Sequence, residues 1–117
     1  MGRGSREAFV LDTSALISLG TIGLIGKALA IVDIVVSPSV ISELEDFAKF
    51  KDAYGKASKI VLSHKKAFTI AKAGIKETLP HIEMTDNGLY NLARQKSLRL
   101  ITDDIKFFRH VRGKVDV

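Results

Sequence analysis

Asp12, Glu43, Asp86 and Asp104, with Asp103 beside the last, are the residues of this sequence best placed to do chemistry together. Asp12 ends the apolar run "FVLD" and is followed at once by two hydroxyls, Thr13 and Ser14. Asp103 and Asp104 follow "LRLIT", Asp86 falls in the first turn of "MTDNGLYNLARQKS", and Glu43 lies one turn into "SPSVISELEDFAKF". In an open parallel α/β sheet, ligands collect at the carboxyl ends of the strands. Acids from four separate segments are therefore expected at one sheet edge. Converging carboxylates repel one another, and a hard divalent cation, Mg²⁺ or Mn²⁺, relieves that repulsion while binding oxygen ligands, waters and substrate phosphate. A cation held in this way polarises a phosphodiester, activates water and offsets charge on the leaving oxygen.

Each acid taken singly also has an ordinary structural account. Asp12 or one of the following hydroxyls suits a helix N-cap, and Asp86 and Asp104 suit the positive end of a helix dipole. Glu43, Glu45 and Asp46 together suit a solvated helix face. It is their joint placement that favours a site over four unrelated structural acids. Neither imidazole nor thiolate is required: His64, His81 and His110 have no metal-ligand spacing, and the chain has no cysteine. A thiolate zinc site, a Cys nucleophile and a disulfide framework are thereby excluded, in keeping with a reducing, cytoplasmic setting.

The elements that must position these acids alternate between strand and helix patterns. Residues 8–12 read as a short buried strand, and residues 13–32 carry apolar residues at helical spacing interrupted by Gly20, Gly23 and Gly26. Two short helices with a bend are expected there, the glycines serving as bends or close packing points. "DIVVS" (33–37) is β-branched and reads as a second strand. Ser37 is a suitable N-cap and Pro38 a suitable first-turn residue for the next helix, whose inner face is Val40, Leu44, Phe47 and Ala48. A basic helix over 52–66, a short edge strand within 67–74, and a helix from Met84 with Thr85 as N-cap follow. A strand at 98–102, a helix or helical turn over 103–113 with Phe107 in the core, and a last strand at 114–117 complete the pattern. Such alternation predicts a three-layer α/β/α fold with a mostly parallel central sheet. Residues 8–117 form one domain, and 1–7 an arm or cloning remnant outside it.

Composition agrees with a packed domain. The 117 residues are 46% hydrophobic and 26% charged, and the net charge is +5. A basic surface around an acidic pit suits a polyanionic partner. No apolar run has the length of a membrane helix, the longest being broken by Lys27 and Asp33, and the N-terminus carries no secretory pattern. Several tempting motifs fail. "GTIGLIGKAL" would put the first glycine of a phosphate loop on Thr21, and Ala28 follows Lys27 where a Ser or Thr must bind magnesium. A receiver domain needs an acid pair at the first strand, a haloacid-type phosphatase needs D-x-D where Ser14 stands, and no His is placed to complete a triad with Ser14.

Four segments resemble the PIN domain family, the nuclease fold of many prokaryotic toxins and RNA-processing enzymes. "VLDTSALI" is similar to its first-strand motif, "PSVISEL" to its P-x-V-x-x-E-L helix start, "TDNGLYNLA" to the segment opening with its third acid, and "RLITDDIKFF" to its T-x-D-x-x-F run. The resemblance covers nearly the whole chain. It implies a Rossmann-like fold and a catalytic, metal-binding quartet of Asp12, Glu43, Asp86 and Asp104. Asp103 stands at the variable position of T-x-D, where it is expected as a secondary metal ligand, the alternative being a helix cap that points away. The resemblance further implies that Thr13, Ser14 and Thr102 orient carboxylates or water. The implied activity is Mg²⁺- or Mn²⁺-dependent cleavage of single-stranded RNA to a 5′-phosphate and a 3′-hydroxyl. The implied setting is a toxin–antitoxin pair, with an antitoxin partner and a homodimer. The alternatives are a ribosomal- or transfer-RNA processing nuclease and a non-catalytic RNA-binding scaffold. Lys49, Lys51, Lys106, Arg109 and Arg112, near the acids in sequence, are the candidate RNA-backbone contacts. Gly88 and Tyr90 depart from the family pattern and are expected to loosen the start of their helix.

Overall fold

A computed structural model describes residues 6–117. Along the chain run β1 (Ala8–Leu11), α1 (Thr13–Thr21), α2 (Ile25–Ile31), β2 (Asp33–Val36), α3 (Pro38–Phe47) and α4 (Ala53–Leu62). These are followed by β3 (Thr69–Ile70), α5 (Met84–Lys96), β4 (Arg99–Ile101) and α6 (Ile105–Val111). The strands form one all-parallel sheet in the order β3-β2-β1-β4. Helices flank it in a three-layer α/β/α arrangement, as the alternating pattern predicts. The chain builds outward from β1 through β2 to β3 and then returns to the other flank of β1 with β4. This reversal opens a crevice at the carboxyl ends of β1 and β4.

Parallel strands are covered on both faces, so their inner residues are apolar throughout. Val10, Val36 and Leu100 are fully buried, and Leu16, Leu44, Leu89 and Phe107 close over them from the helices. The glycines of the first helical stretch divide the two expected roles. Gly23 adopts a positive φ of 74° and lets the chain turn, so that α1 and α2 stand at 113° to each other. Gly20 lets α1 touch α4: a Cβ there would lie 2.8 Å from the Ala57 carbonyl oxygen and 2.9 Å from Val61 Cγ2. Among the described residues no single helix is long and apolar enough to cross a membrane.

Several local expectations are corrected. Helix α5 begins at Met84 with Glu83 at the N-cap position and no side-chain cap, so Thr85 is inside the first turn. Gly88 and Tyr90 do not loosen this helix. It runs unbroken, with Tyr90 fully buried and its hydroxyl donating to Glu77 Oε1 at 2.9 Å. The basic helix stops at Leu62 and is followed by a short 3₁₀ turn at Lys65–Ala67. The edge strand is only Thr69–Ile70, and 71–83 is irregular apart from a turn. Residues 114–117 form no strand. Gly113 turns the chain at φ 83°, and the tail then meets β4 through one backbone bond, Leu100 N–H to the Asp116 carbonyl at 2.7 Å. Of the expected N-terminal arm, residues 1–5 lie outside the described residues. Arg6 belongs to the fold: its Nη2 donates to the carbonyls of Leu29 and Val32 at 2.6 and 2.7 Å, satisfying the end of α2, and its Nε lies 3.2 Å from Asp33 Oδ1.

Two glycine substitutions check this packing with opposite signs. Gly20→Ala gains about 1 kcal/mol of helix propensity but is overpacked against α4 backbone, a cost of about 1–3 kcal/mol, so a lowered denaturation midpoint is expected. Gly88 has nothing within 4 Å of an added Cβ. Gly88→Ala is expected to raise stability by about 0.5–1 kcal/mol in the same urea titration.

Candidate functional site

Asp12 is the first residue after β1 and the N-cap of α1, its Oδ1 accepting from Ala15 N–H at 2.9 Å and from the Ser14 hydroxyl at 2.8 Å. Its Oδ2 accepts from the Thr102 hydroxyl, which stands just beyond β4. Thr102 Oγ1 in turn accepts from Asp104 N–H at 2.9 Å, which fixes the start of α6. Asp104 is itself an N-cap, its Oδ1 accepting from Lys106 and Phe107 N–H. The capping expectation for Asp12 holds, and its second oxygen is engaged as well. One carboxylate oxygen caps the helix while the other is held by the neighbouring strand end.

Glu43 reaches the same place from α3, where it is half-buried while Glu45 and its neighbour Asp46 are exposed. The Thr13 hydroxyl donates to Glu43 Oε1. Asp86 comes from the first turn of α5. Asp12, Glu43, Asp86 and Asp104 all line one cleft of about 370 Å³, with Thr13 and Ser14 on its wall. The expected quartet is therefore brought together at the crevice beside β1.

The electrostatics record the crowding. Burial raises the Asp12 carboxyl above its ordinary value, an effect opposed by the hydrogen bonds from Thr102, Ala15 and Ser14 and reinforced by Asp104. Asp86 is pushed up to about 7, first by burial and then by the charges of Asp12, Asp104, Glu43 and Glu83. Such mutual repulsion is what a cation would relieve. The donors are all hard oxygens, which suits Mg²⁺ or Mn²⁺. Among the described residues no three acids or imidazoles form a ready-made metal cage. Mg²⁺ is commonly held through one or two carboxylates with water and substrate phosphate. By donor chemistry the quartet fits such an ion.

Other expected residues fall elsewhere. Asp103 lies outside this cleft: its carboxylate accepts from the Ser18 hydroxyl, and it lines a neighbouring depression with Ser18 and Thr21. Asp103 is held by the Ser18 hydroxyl of α1 whereas Asp104 caps α6, which separates the two carboxylates. Lys106 lines a small recess with Asp86 and Asp104, whereas Lys49 is paired with Asp46 at 3.3 Å. Lys51, Arg109 and Arg112 are exposed and do not line the cleft. Sequence reasoning missed Glu83, Asp46, Phe47 and Tyr54, all of which line it.

It also missed a clamp. Asn87 and Asn91, one turn apart on α5, are both buried. Asn87 Oδ1 accepts from Leu79 N–H at 2.7 Å and its Nδ2 donates to the Ile82 carbonyl at 2.9 Å. Asn91 Oδ1 accepts from the N–H groups of Lys76 and Glu77 at 2.9 and 3.1 Å. These amides replace a sheet partner for the irregular segment 76–83, and so fix the entry to α5 that carries Glu83 and Asp86. The signal was present in the sequence as an N-x-x-x-N pair on the apolar stripe of a helix.

Neither a protein-family model nor a curated protein matches the sequence. Solved structures do match the fold. PAE2754 from Pyrobaculum aerophilum is similar with a TM-score of 0.68 and 20% identity, over 95% of this chain and 84% of that one. A domain of a functionally unknown protein from Methanocaldococcus jannaschii is similar with a TM-score of 0.61 and 19% identity, over 94% of this chain and 88% of that one. At these identities the likeness establishes the three-layer fold.

Two measurements check the site's internal forces. The Asp86 carboxyl is held near 7 against an ordinary 3.8, so folding favours its protonated form. Its contribution is full below about pH 4 and is lost as pH rises through about 7. In metal-free protein, Asp86→Asn is therefore expected to stabilise the fold relative to wild type at pH 8 and not at pH 4, read from melting curves. Asn87→Ala leaves the Leu79 N–H and Ile82 carbonyl unpaired, and a loss of about 1–3 kcal/mol with faster amide exchange at Leu79 is expected.

Proposed function

We propose that this chain is a Mg²⁺- or Mn²⁺-dependent endoribonuclease of the PIN type, cleaving single-stranded RNA. The observation that carries this reading is the convergence of Asp12, Glu43, Asp86 and Asp104 from four segments on one cleft, where burial first and the neighbouring carboxylates second hold Asp86 near 7. The net charge of +5 supports it, since a basic exterior draws a phosphate backbone toward the acidic cleft. The resemblance of the four motifs adds the toxin of a toxin–antitoxin pair as the biological setting.

When bound, the divalent ion would neutralise phosphate charge and acidify water in the cleft. The protein's own groups supply orientation. Ser14, Ala15 and Thr102 lock both oxygens of Asp12, so this carboxylate presents one fixed geometry. Thr13 holds Glu43 by Oε1, which leaves Oε2 to take a proton from the water that attacks phosphorus. The bond from phosphorus to the 3′ oxygen breaks opposite the incoming water. The departing oxygen takes up a proton, leaving a 3′-hydroxyl and a 5′-phosphate. Lys106, beside Asp86 and Asp104, is placed to bind a non-bridging phosphate oxygen.

A non-catalytic RNA-binding role draws on a different observation: hydroxyl and amide donors already serve Asp12 and Glu43. Mn²⁺ titration followed by melting and by cleavage of a labelled single-stranded RNA separates the two. The nuclease reading expects stabilisation and cleavage together, and cleavage absent at every Mn²⁺ or Mg²⁺ concentration overturns it. Asp12→Asn keeps an acceptor for the α1 cap, and with Asp86→Asn it is expected to lower cleavage by roughly a hundredfold or more while leaving the fold intact.

A further inference from the structure

Next to the acidic cleft lies a second one of about 320 Å³, lined by Ser18, Thr21, Ile22 and Asp103. Its size falls in the range of small-ligand sites, about 300–1,000 Å³. The two clefts share Ser14, Ile17 and Tyr54 as their common border. Tyr54 stands in the first turn of α4, is 53% exposed, and is braced edge-on by Phe47 with ring centroids 5.5 Å apart. An exposed aromatic ring held by a second one presents a face on which an unpaired base can stack.

The polar groups of this second cleft share one property. The Ser18 hydroxyl donates to Asp103 Oδ2, the Thr21 hydroxyl to the Ile17 carbonyl at 2.8 Å, and the Ser14 hydroxyl to Asp12 Oδ1 at 2.8 Å. Their hydrogens are committed within the protein. What Ser18, Thr21 and the Asp103 carboxylate offer to a ligand is therefore acceptors. Lysine and arginine do not line this cleft. Of the four RNA bases, only guanine presents adjacent N–H donors, N1–H and the N2 amino group, that a single carboxylate can take in parallel. Uracil, cytosine and adenine each bring an acceptor against that carboxylate.

We infer that this second cleft is a base-selecting subsite that stacks one unpaired guanine of the RNA on Tyr54 and reads its N1–H and N2–H edge with Asp103. The inference deepens the nuclease reading and rests on it for the phosphate's place in the adjoining cleft. Asp103 thereby has a role distinct from the acidic quartet, one of selecting the substrate and not of holding the ion. Ile22, 63% exposed at the rim, covers the outer edge of the base.

The chain has two tyrosines and no tryptophan, and Tyr90 is fully buried, so quenching of tyrosine emission on ligand addition reports on Tyr54. The four nucleoside 5′-monophosphates, titrated into the full chain in Mg²⁺, serve as probes. Guanosine monophosphate is expected to quench at the lowest concentration. Asp103→Asn, which sets an amide donor against guanine's donors, is expected to remove that preference. Calorimetry on Tyr54→Leu is expected to show an affinity lowered about tenfold, and Tyr54→Phe to restore it. In cleavage assays Tyr54→Leu raises KM for guanine-containing RNA more than for guanine-free RNA. Equal quenching by all four nucleotides, or an unchanged guanosine preference in Asp103→Asn, overturns the inference. Selective guanosine binding without RNA cleavage upholds the subsite and fails the nuclease reading alone, whereas cleavage without base preference fails the subsite alone.

Discussion

The Asp12 carboxylate joins three elements, α1, β4 and α6, through one hydrogen-bonded chain. Its Oδ1 caps α1 through Ala15 N–H, and its Oδ2 takes the Thr102 hydroxyl at the end of β4. Thr102 then accepts from Asp104 N–H and so sets where α6 begins. A buried carboxylate is costly unless hydrogen bonds serve it, and here the donors are those that also start two helices. The parallel pairing of β1 with β4 brings these groups into range, because both strands end at the same edge. Anything that shifts β4 along β1 separates Thr102 from Asp12 and dissolves the site.

Around that anchor the protein assembles like charges. Glu43 and Asp86 arrive on helices that follow other strands, and each is held by a device of its own. Glu43 is fixed by Thr13, one residue from Asp12. Asp86 takes its position from α5, whose entry is tied down by Asn87 and Asn91 through the backbone of 76–83. Neutral amides and hydroxyls thus position charged groups that repel one another. Such preorganisation leaves repulsion that a cation or a proton relieves, and it adds to the burial that raises the Asp86 carboxyl.

Legibility differed sharply between elements. Strands β1 and β2, helix α3 with its Ser37 cap and Pro38, and the break between α1 and α2 could all be read locally, since periodicity and capping act over a few residues. The irregular 71–83 segment could not. It has no periodicity of its own and takes its path from two asparagine side chains on a later helix. The last four residues read as a strand, yet after the turn at Gly113 they make only one backbone bond to β4, besides the Arg99–Asp116 side-chain pair. Asp103 illustrates the same limit at the site: adjacent in sequence to Asp104, it lines a different cleft because Ser18 of α1 holds its carboxylate while Asp104 caps α6.

The sequence by itself determined the alternating α/β order and the type and positions of the four acids, because strand ends and first helical turns are marked by local residue patterns. Only the tertiary structure decided which acids share a cleft, which oxygen of Asp12 serves the cap, and that Tyr54 and Glu83 stand beside them. Those facts depend on the order of strands in the sheet and on contacts across tens of residues, such as Thr13 with Glu43 and Asp12 with Thr102. No local preference encodes such distances; they are set by how the helices pack once the parallel sheet has formed.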